Sequence, residues 1–139
     1  ENRIKVIKAK KDSRFGLIAT KSEKEIVLLT YNYEESESEK ITGNNEIKIE
    51  LNGLKKSTSY QIKTIMLDKE NNNTYQKWIE MGSPKNSKSI NLSQIKKAGN
   101  LTHNKIINFK TDDEGKIIFD LSLIKRSAKL MIIKMNQIP

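Results

Sequence analysis

Residues that could carry acid, base, nucleophilic or metal chemistry are few in this chain and poorly spaced for it. His103 is the only histidine and there is no cysteine. A transition-metal site would have to rest on carboxylates around one imidazole, and the pattern reads instead as a histidine at the entrance of a strand. Glu34, Glu35, Glu37 and Glu39 form an acidic run between two strand patterns, where carboxylates on a loop are expected to be solvated and not to hold a cation. Asp112 and Asp113 sit together in Asp-Asp-Glu-Gly. Short acidic side chains favour a tight turn there, and no apolar pocket surrounds them to raise one pKa for acid catalysis. Serines are plentiful, but no Gly-x-Ser-x-Gly elbow occurs and the six glycines compose no phosphate loop. The expectation is no catalytic constellation, no metal and no cofactor.

At 139 residues the chain fits one domain with one core, residues 1–139. It opens on Glu1 and not on Met, which suggests an excerpt of a larger protein. No apolar run approaches the roughly 20 residues needed to cross a bilayer, and no leader precedes the first strand pattern, so no membrane partner is expected. The formal net charge is +9, with 23 lysines among the 26 basic residues. Lysine is a hydrated point charge that also solubilises strand edges, whereas arginine supplies the forked contacts typical of base readout. The lysines are scattered and not interleaved with aromatics, so they read as a solvated basic surface without specific DNA binding. Abundant Lys, Asn and Ile also match the drift of an AT-rich genome.

Period-two alternation dominates. Ile47, Ile49 and Leu51 oppose Lys48 and Glu50, and Ile117, Phe119, Leu121 and Leu123 oppose Lys116, Asp120 and Ser122, the pattern of half-buried strands. Residues 25–33 and 128–135 are apolar on both parities and are expected to be central strands covered on both faces. Further strands are expected at about 3–8, 16–20, 59–67 and 104–111. Turn chemistry at residues 42–45, Asn52-Gly53 and 112–115 divides them, the last joining strands of a closing meander. These signals give an all-β, two-layer sandwich of about eight antiparallel strands. Two short helices interrupt it at about 75–82 and 91–98. Asn73 or Thr74 caps the first, Gly82 and Pro84 stop it, and Asn91 with Gln94 starts the second, which Gly99 ends. Helices this short need docking, which Tyr75, Trp78 and Met81 would supply against the sandwich or a neighbouring domain. Three glycosylation triplets, at Asn72, Asn91 and Asn100, are expected by chance in an Asn-rich chain.

The segments Gly-Leu-Ile-Ala-Thr-Lys (16–21), Ile-Val-Leu-Leu-Thr-Tyr-Asn-Tyr (26–33) and Tyr-Gln-Ile-Lys-Thr-Ile-Met-Leu-Asp-Lys-Glu (60–70) are followed by Asn73-Thr74-Tyr75, Trp78 and Met-Gly-Ser-Pro (81–84). This order resembles the C-terminal region of glycoside hydrolase family 39, the β-xylosidase family, over nearly the whole chain. Tyr60, Asp68, Asn73, Tyr75, Trp78, Met81, Gly82 and Pro84 match that motif, and the resemblance implies structural or interface roles for them. A histidine expected just after Asp-Lys-Glu is Asn71 here. The resemblance places the family's two glutamates in a separate barrel. The only Asn-Glu pair, Asn45-Glu46, lacks the flanking Trp and Pro, so no catalytic role transfers to Glu46. A similar region also ends some AraC-type transcription regulators of low-GC Gram-positive bacteria, a context that implies a regulatory, cytoplasmic protein. The expected function is a non-catalytic accessory domain of such a regulator, with a family 39 xylosidase or a carbohydrate-binding module as alternatives. Its expected partners are other domains of the same parent chain and, in the third case, a carbohydrate.

Overall fold

The structure is a computed structural model that describes residues 2–3, 14–33, 46–86, 88, 90–102 and 105–136. The acidic run at residues 34–39, the turn at 42–45 and His103 lie outside the described residues, as does most of the first expected strand. Among those described, the elements are β1 (Asn2–Arg3), β2 (Phe15–Lys21), β3 (Ile26–Asn32), β4 (Glu46–Leu51) and β5 (Ser59–Leu67), then α1 (Thr74–Glu80) and α2 (Leu92–Ala98). The chain closes with β6 (Lys105–Lys110), β7 (Ile117–Ser122) and β8 (Ser127–Met135).

The strands form two antiparallel sheets. Six pair in the order β1-β2-β3-β8-β5-β6, and β4 pairs with β7 as a second, two-stranded sheet. The all-β sandwich with two short helices is therefore the architecture, but its layers are unequal. The closing meander does not form: β6 adds to β5 at an edge of the large sheet, β7 crosses to β4, and β8 returns between β3 and β5. Alternation fixes which face of a strand is buried, but not which sheet the strand joins.

The core lies between the sheets. Ala19, Ile26, Leu28, Tyr60, Ile62, Met131 and Ile133 from the large sheet meet Ile49, Ile117, Leu121 and Leu123 from the small sheet and its exit. The Phe109 and Phe119 rings meet at 5.7 Å across the layers. Polar ties join the layers as well. Buried Asn32 of β3 donates its side-chain amide to the Leu123 carbonyl at 3.1 Å, and Thr111 donates to the Lys55 carbonyl at 2.6 Å while accepting from the Thr58 N–H at 2.8 Å. The turn after β6 is held by Asp112, whose carboxylate accepts from the N–H groups of Glu114 and Lys116 at 3.0 and 2.8 Å. Gly115 follows it at φ +79°, as its turn chemistry predicts.

β3 and β8 do occupy the middle of the large sheet. Their cover is one-sided, which corrects the expectation of burial on both faces. Inward residues of β3 are buried, whereas the outward ones are half-buried or exposed, and β8 shows the same asymmetry along its first seven residues except at the half-buried, inward Lys129. Among the described residues, the second layer is two strands wide and lies on the inner face.

Candidate functional site

The segment that carries the motif, residues 67–84, is built around one carboxylate. β5 ends at Leu67, and Asp68 immediately after it is 5% exposed. Its Oδ1 accepts from the backbone N–H groups of Glu70 and Asn71, both at 2.8 Å, and the Asn71 amide donates to Oδ1 and Oδ2 at 2.9 and 3.1 Å. Asn71 stands where the resemblance leads one to expect a histidine, and it retains a side-chain N–H donor for this carboxylate. Burial works against ionisation of Asp68, but these hydrogen bonds and the nearby Lys129 charge outweigh it and hold the carboxyl below its ordinary pKa. Lys129 projects from the inner face of β8 and donates to the Ser122 carbonyl. Burial lowers the pKa of its ammonium, with Asp68 opposing that shift and Lys105 reinforcing it.

Asparagines carry the chain from this lock into the helices. Asn72 takes the left-handed conformation at φ 53°, which asparagine tolerates better than most residues. Its side chain donates to the Met66 carbonyl at 2.6 Å and accepts from the Thr102 N–H at 3.2 Å, tying both ends of the helical insertion to β5. Asn73 donates to the Asp68 carbonyl at 2.9 Å and caps α1 by accepting from the Gln76 N–H at 3.0 Å. The cap is thus Asn73, and α1 ends at Glu80, with Met81 as C-cap and Gly82 at φ +83°. The first helix is one residue earlier at its start, and two at its end, than the pattern predicts. The second begins as expected: the Asn91 side chain accepts from the Gln94 N–H at 3.2 Å.

The two helices pack on each other. Gly99, the C-cap of α2, approaches α1 so closely that a Cβ there would lie 2.6 Å from Thr74 Cγ2. Neither helix contains a fully buried residue. Trp78 is half-buried, stacks on Tyr75 at 5.7 Å between centroids and 26° between planes, and donates its indole N–H to the Pro84 carbonyl at 3.3 Å. Tyr75 itself is 64% exposed, so it does not dock on the sandwich as its helical spacing suggests. Tyr60 stands apart from this group in the core, where its hydroxyl accepts from the Lys55 N–H at 3.1 Å. The motif residues therefore divide between one core anchor and one lock-and-hairpin unit.

Sequence reasoning misses the outer face of the six-stranded sheet as a surface. Register places Ile18, Leu29, Leu130 and Ile65 opposite one another in one cross-strand row. The next row runs Arg3, Thr20, Val27, Ile132, Lys63 and Ile106. Tyr31, Ala128 and Leu67 form a third. The doubly apolar parity of β3 and β8 is the signal for this surface. No group of three or more His, Cys, Asp or Glu side chains suited to a metal occurs among the described residues.

Comparison with known proteins agrees with this arrangement. The model of Glycosyl hydrolases family 39 matches residues 1–115. A β-xylosidase of Caldicellulosiruptor saccharolyticus is 30% identical over 132 residues, which cover 95% of this chain and 26% of that protein. The crystal structure of the family 39 enzyme from Xanthomonas axonopodis pv. citri superposes with a TM-score of 0.66 at 12% identity, over 89% of this chain and 26% of that one. A monomeric β-xylosidase from Caulobacter crescentus CB15 gives 0.61 at 14% identity, over 88% and 26%. The chain thus spans about a quarter of the length of these relatives. By its sequence match, with a fold shared by the solved enzymes, it belongs to glycosyl hydrolase family 39.

Proposed function

We infer that this chain is a non-catalytic accessory β-sandwich of a larger family 39 protein. The observation that carries this reading is the state of its buried carboxyl. Glycoside hydrolysis needs two carboxyl groups flanking one bond, one of them with a raised pKa so that it can donate a proton. Asp68 is shifted the opposite way and its oxygens are occupied by neighbouring N–H groups. Asp112 is likewise engaged in its own turn. The test is an aryl-xyloside assay on this chain. No turnover above buffer is expected, and turnover abolished by replacing one of its acidic residues would overturn the reading.

Two parents fit it. An AraC-type regulator accords with the Lys-, Asn- and Ile-rich composition and would place the domain in the cytoplasm, in the service of regulation or assembly. A β-xylosidase accords with the Caldicellulosiruptor relative and would make the domain a support for a hydrolytic barrel. The upstream gene sequence separates them: two adjacent helices with a recognition-helix pattern indicate the regulator, and a barrel with an Asn-Glu motif indicates the enzyme. Against a sugar platform stands the use of the ring faces. Tyr75 and Trp78 each turn one face to the other, and Tyr31 lies across Gly16, whereas sugar stacking requires free aromatic faces in a common plane.

A further inference from the structure

We propose that Asn52 is a site of spontaneous covalent modification, where the side-chain amide gives way to an isoaspartyl linkage that lengthens the joint between β4 and β5. The inference rests on the chemistry of this joint and holds for either parent. The reaction needs an asparagine whose successor offers an unhindered backbone nitrogen. Of the 14 asparagines in the chain, Asn52 alone precedes a glycine. Both residues are exposed. Gly53 takes φ +78°, and beyond its chain neighbours no atom lies within 4 Å of the place a Cβ would occupy, so glycine holds this turn at no steric cost. Among the described residues the Gly53 N–H has no hydrogen-bond partner. The Asn52 amide itself is held at the surface, by one hydrogen bond to Glu50 Oε1 at 2.9 Å.

The step balances with water as its only co-reactant. The Gly53 nitrogen loses its proton to solvent and attacks Cγ of Asn52. The new N–Cγ bond closes a five-membered succinimide while the Cγ–Nδ2 bond breaks and ammonia leaves, carrying a proton from water. Water then opens the ring at one of its two carbonyls. Cleavage of the Cγ–N bond restores the normal main chain and leaves aspartate. Cleavage at the α-carbonyl routes the main chain through Cβ and Cγ and leaves a free α-carboxylate, which is isoaspartate. No oxidation or reduction takes place.

The fold gives this change a consequence, because the chain is fixed on both sides of the Asn52-Gly53 link. Leu51 pairs with Ile117 at the end of β4. Beyond the link, the Leu54 N–H donates to the Gly115 carbonyl at 3.0 Å, the Lys55 N–H to the Tyr60 hydroxyl at 3.1 Å and the Ser57 N–H to the Asp112 carbonyl at 2.9 Å. Leu54 also packs against the core. An isoaspartyl residue inserts one methylene, about 1.5 Å of main chain, between the Leu51 and Leu54 anchors. It also replaces an amide donor to Glu50 with a second negative charge, which repels the first. The anchor nearest the insertion, the Leu54–Gly115 hydrogen bond, takes the strain.

The test ages the folded chain in warm, mildly alkaline buffer and digests it with trypsin, which releases residues 49–55 between Lys48 and Lys56. Electron-transfer fragmentation of that peptide separates isoaspartate from aspartate at position 52. The expected result is conversion concentrated at Asn52, mainly to isoaspartate, at a rate close to that of the chain in urea. The urea midpoint of the aged protein should lie below that of fresh protein. Asn52→Gln, which would have to close a less favourable six-membered ring, should show neither change, and Asn52→Ser, which has no amide, replaces it if the glutamine variant folds poorly. An Asn52 that stays intact in folded protein while it converts in urea would overturn the proposal, because the fold would then shield the site. Conversion to aspartate alone, or conversion with an unchanged urea midpoint, would overturn the lengthening of the joint.

Discussion

Asp68 is the side chain on which the motif segment turns, and its chemistry makes a pH-dependent prediction. Its folded pKa is depressed by hydrogen bonds and by Lys129 despite burial, so its contribution to stability is fully present above the unfolded value of about 3.9 and disappears as pH falls through the lower folded value. Asp68→Asn replaces an acceptor by an N–H₂ group facing the Asn71 amide donor. A loss of about 1–3 kcal/mol is expected at pH 7, by analogy with breaking buried charge-assisted hydrogen bonds. Urea midpoints of the two proteins should converge as the pH drops below about 4, and a gap that stays constant to acid pH would exclude the ionised lock. Gly115 gives a second test at this scale. At φ +79° a side chain is strained, and a Cβ there would lie 2.3 Å from the Leu54 carbonyl oxygen, a backbone atom that cannot rotate away. Gly115→Ala should cost about 2–4 kcal/mol by adding left-handed strain to overpacking, read as a lower urea midpoint with the m-value retained.

Local elements are where the sequence is most legible. The Asn73 and Asn91 caps, the stop at Gly82 and most strand limits follow from short-range chemistry, and they stand in the structure within one or two residues. What alternation cannot express is destination. β7 has the same half-buried pattern whether it continues a meander or crosses to β4, and only contacts distant in sequence decide. The helical hairpin shows the same limit, because apolar spacing names Tyr75 and Trp78 as a packing face but not what they pack on. Trp78 finds Tyr75 and the Pro84 carbonyl, a partial environment. Trp78→Ala in this chain should therefore cost about 1–3 kcal/mol, less than the 3–5 kcal/mol usual for a fully buried aromatic. A thermal or urea melt measures the loss. A larger loss in the full-length parent would place the hairpin at a domain boundary as well, and an equal loss would confine its role to bracing residues 67–84.

Across the whole molecule, charge and shape make different demands on partners. The +9 net charge draws any polyanion, yet affinity without readout follows from scattered point charges, whereas sequence recognition requires an ordered element presenting side chains at base edges. The described lysines are dispersed over strands, turns and helices, and two of the three arginines, Arg14 and Arg126, flank strands instead of aligning along one helix. The helices themselves are seven residues each and are packed against one another, which leaves neither as a free reading head. If the parent is a regulator, sequence readout therefore belongs to its other part. DNA binding by this domain alone should be weak and indifferent to sequence, and log K should fall linearly with log salt as counterions are released. A gel-shift titration of this chain against a promoter fragment and its scrambled counterpart should give superimposable curves that move together to higher protein concentration as salt is raised. Preference for the promoter at near-physiological salt would move recognition onto these strands and contradict the accessory role, since a surface that reads bases must present its own donors in register with them.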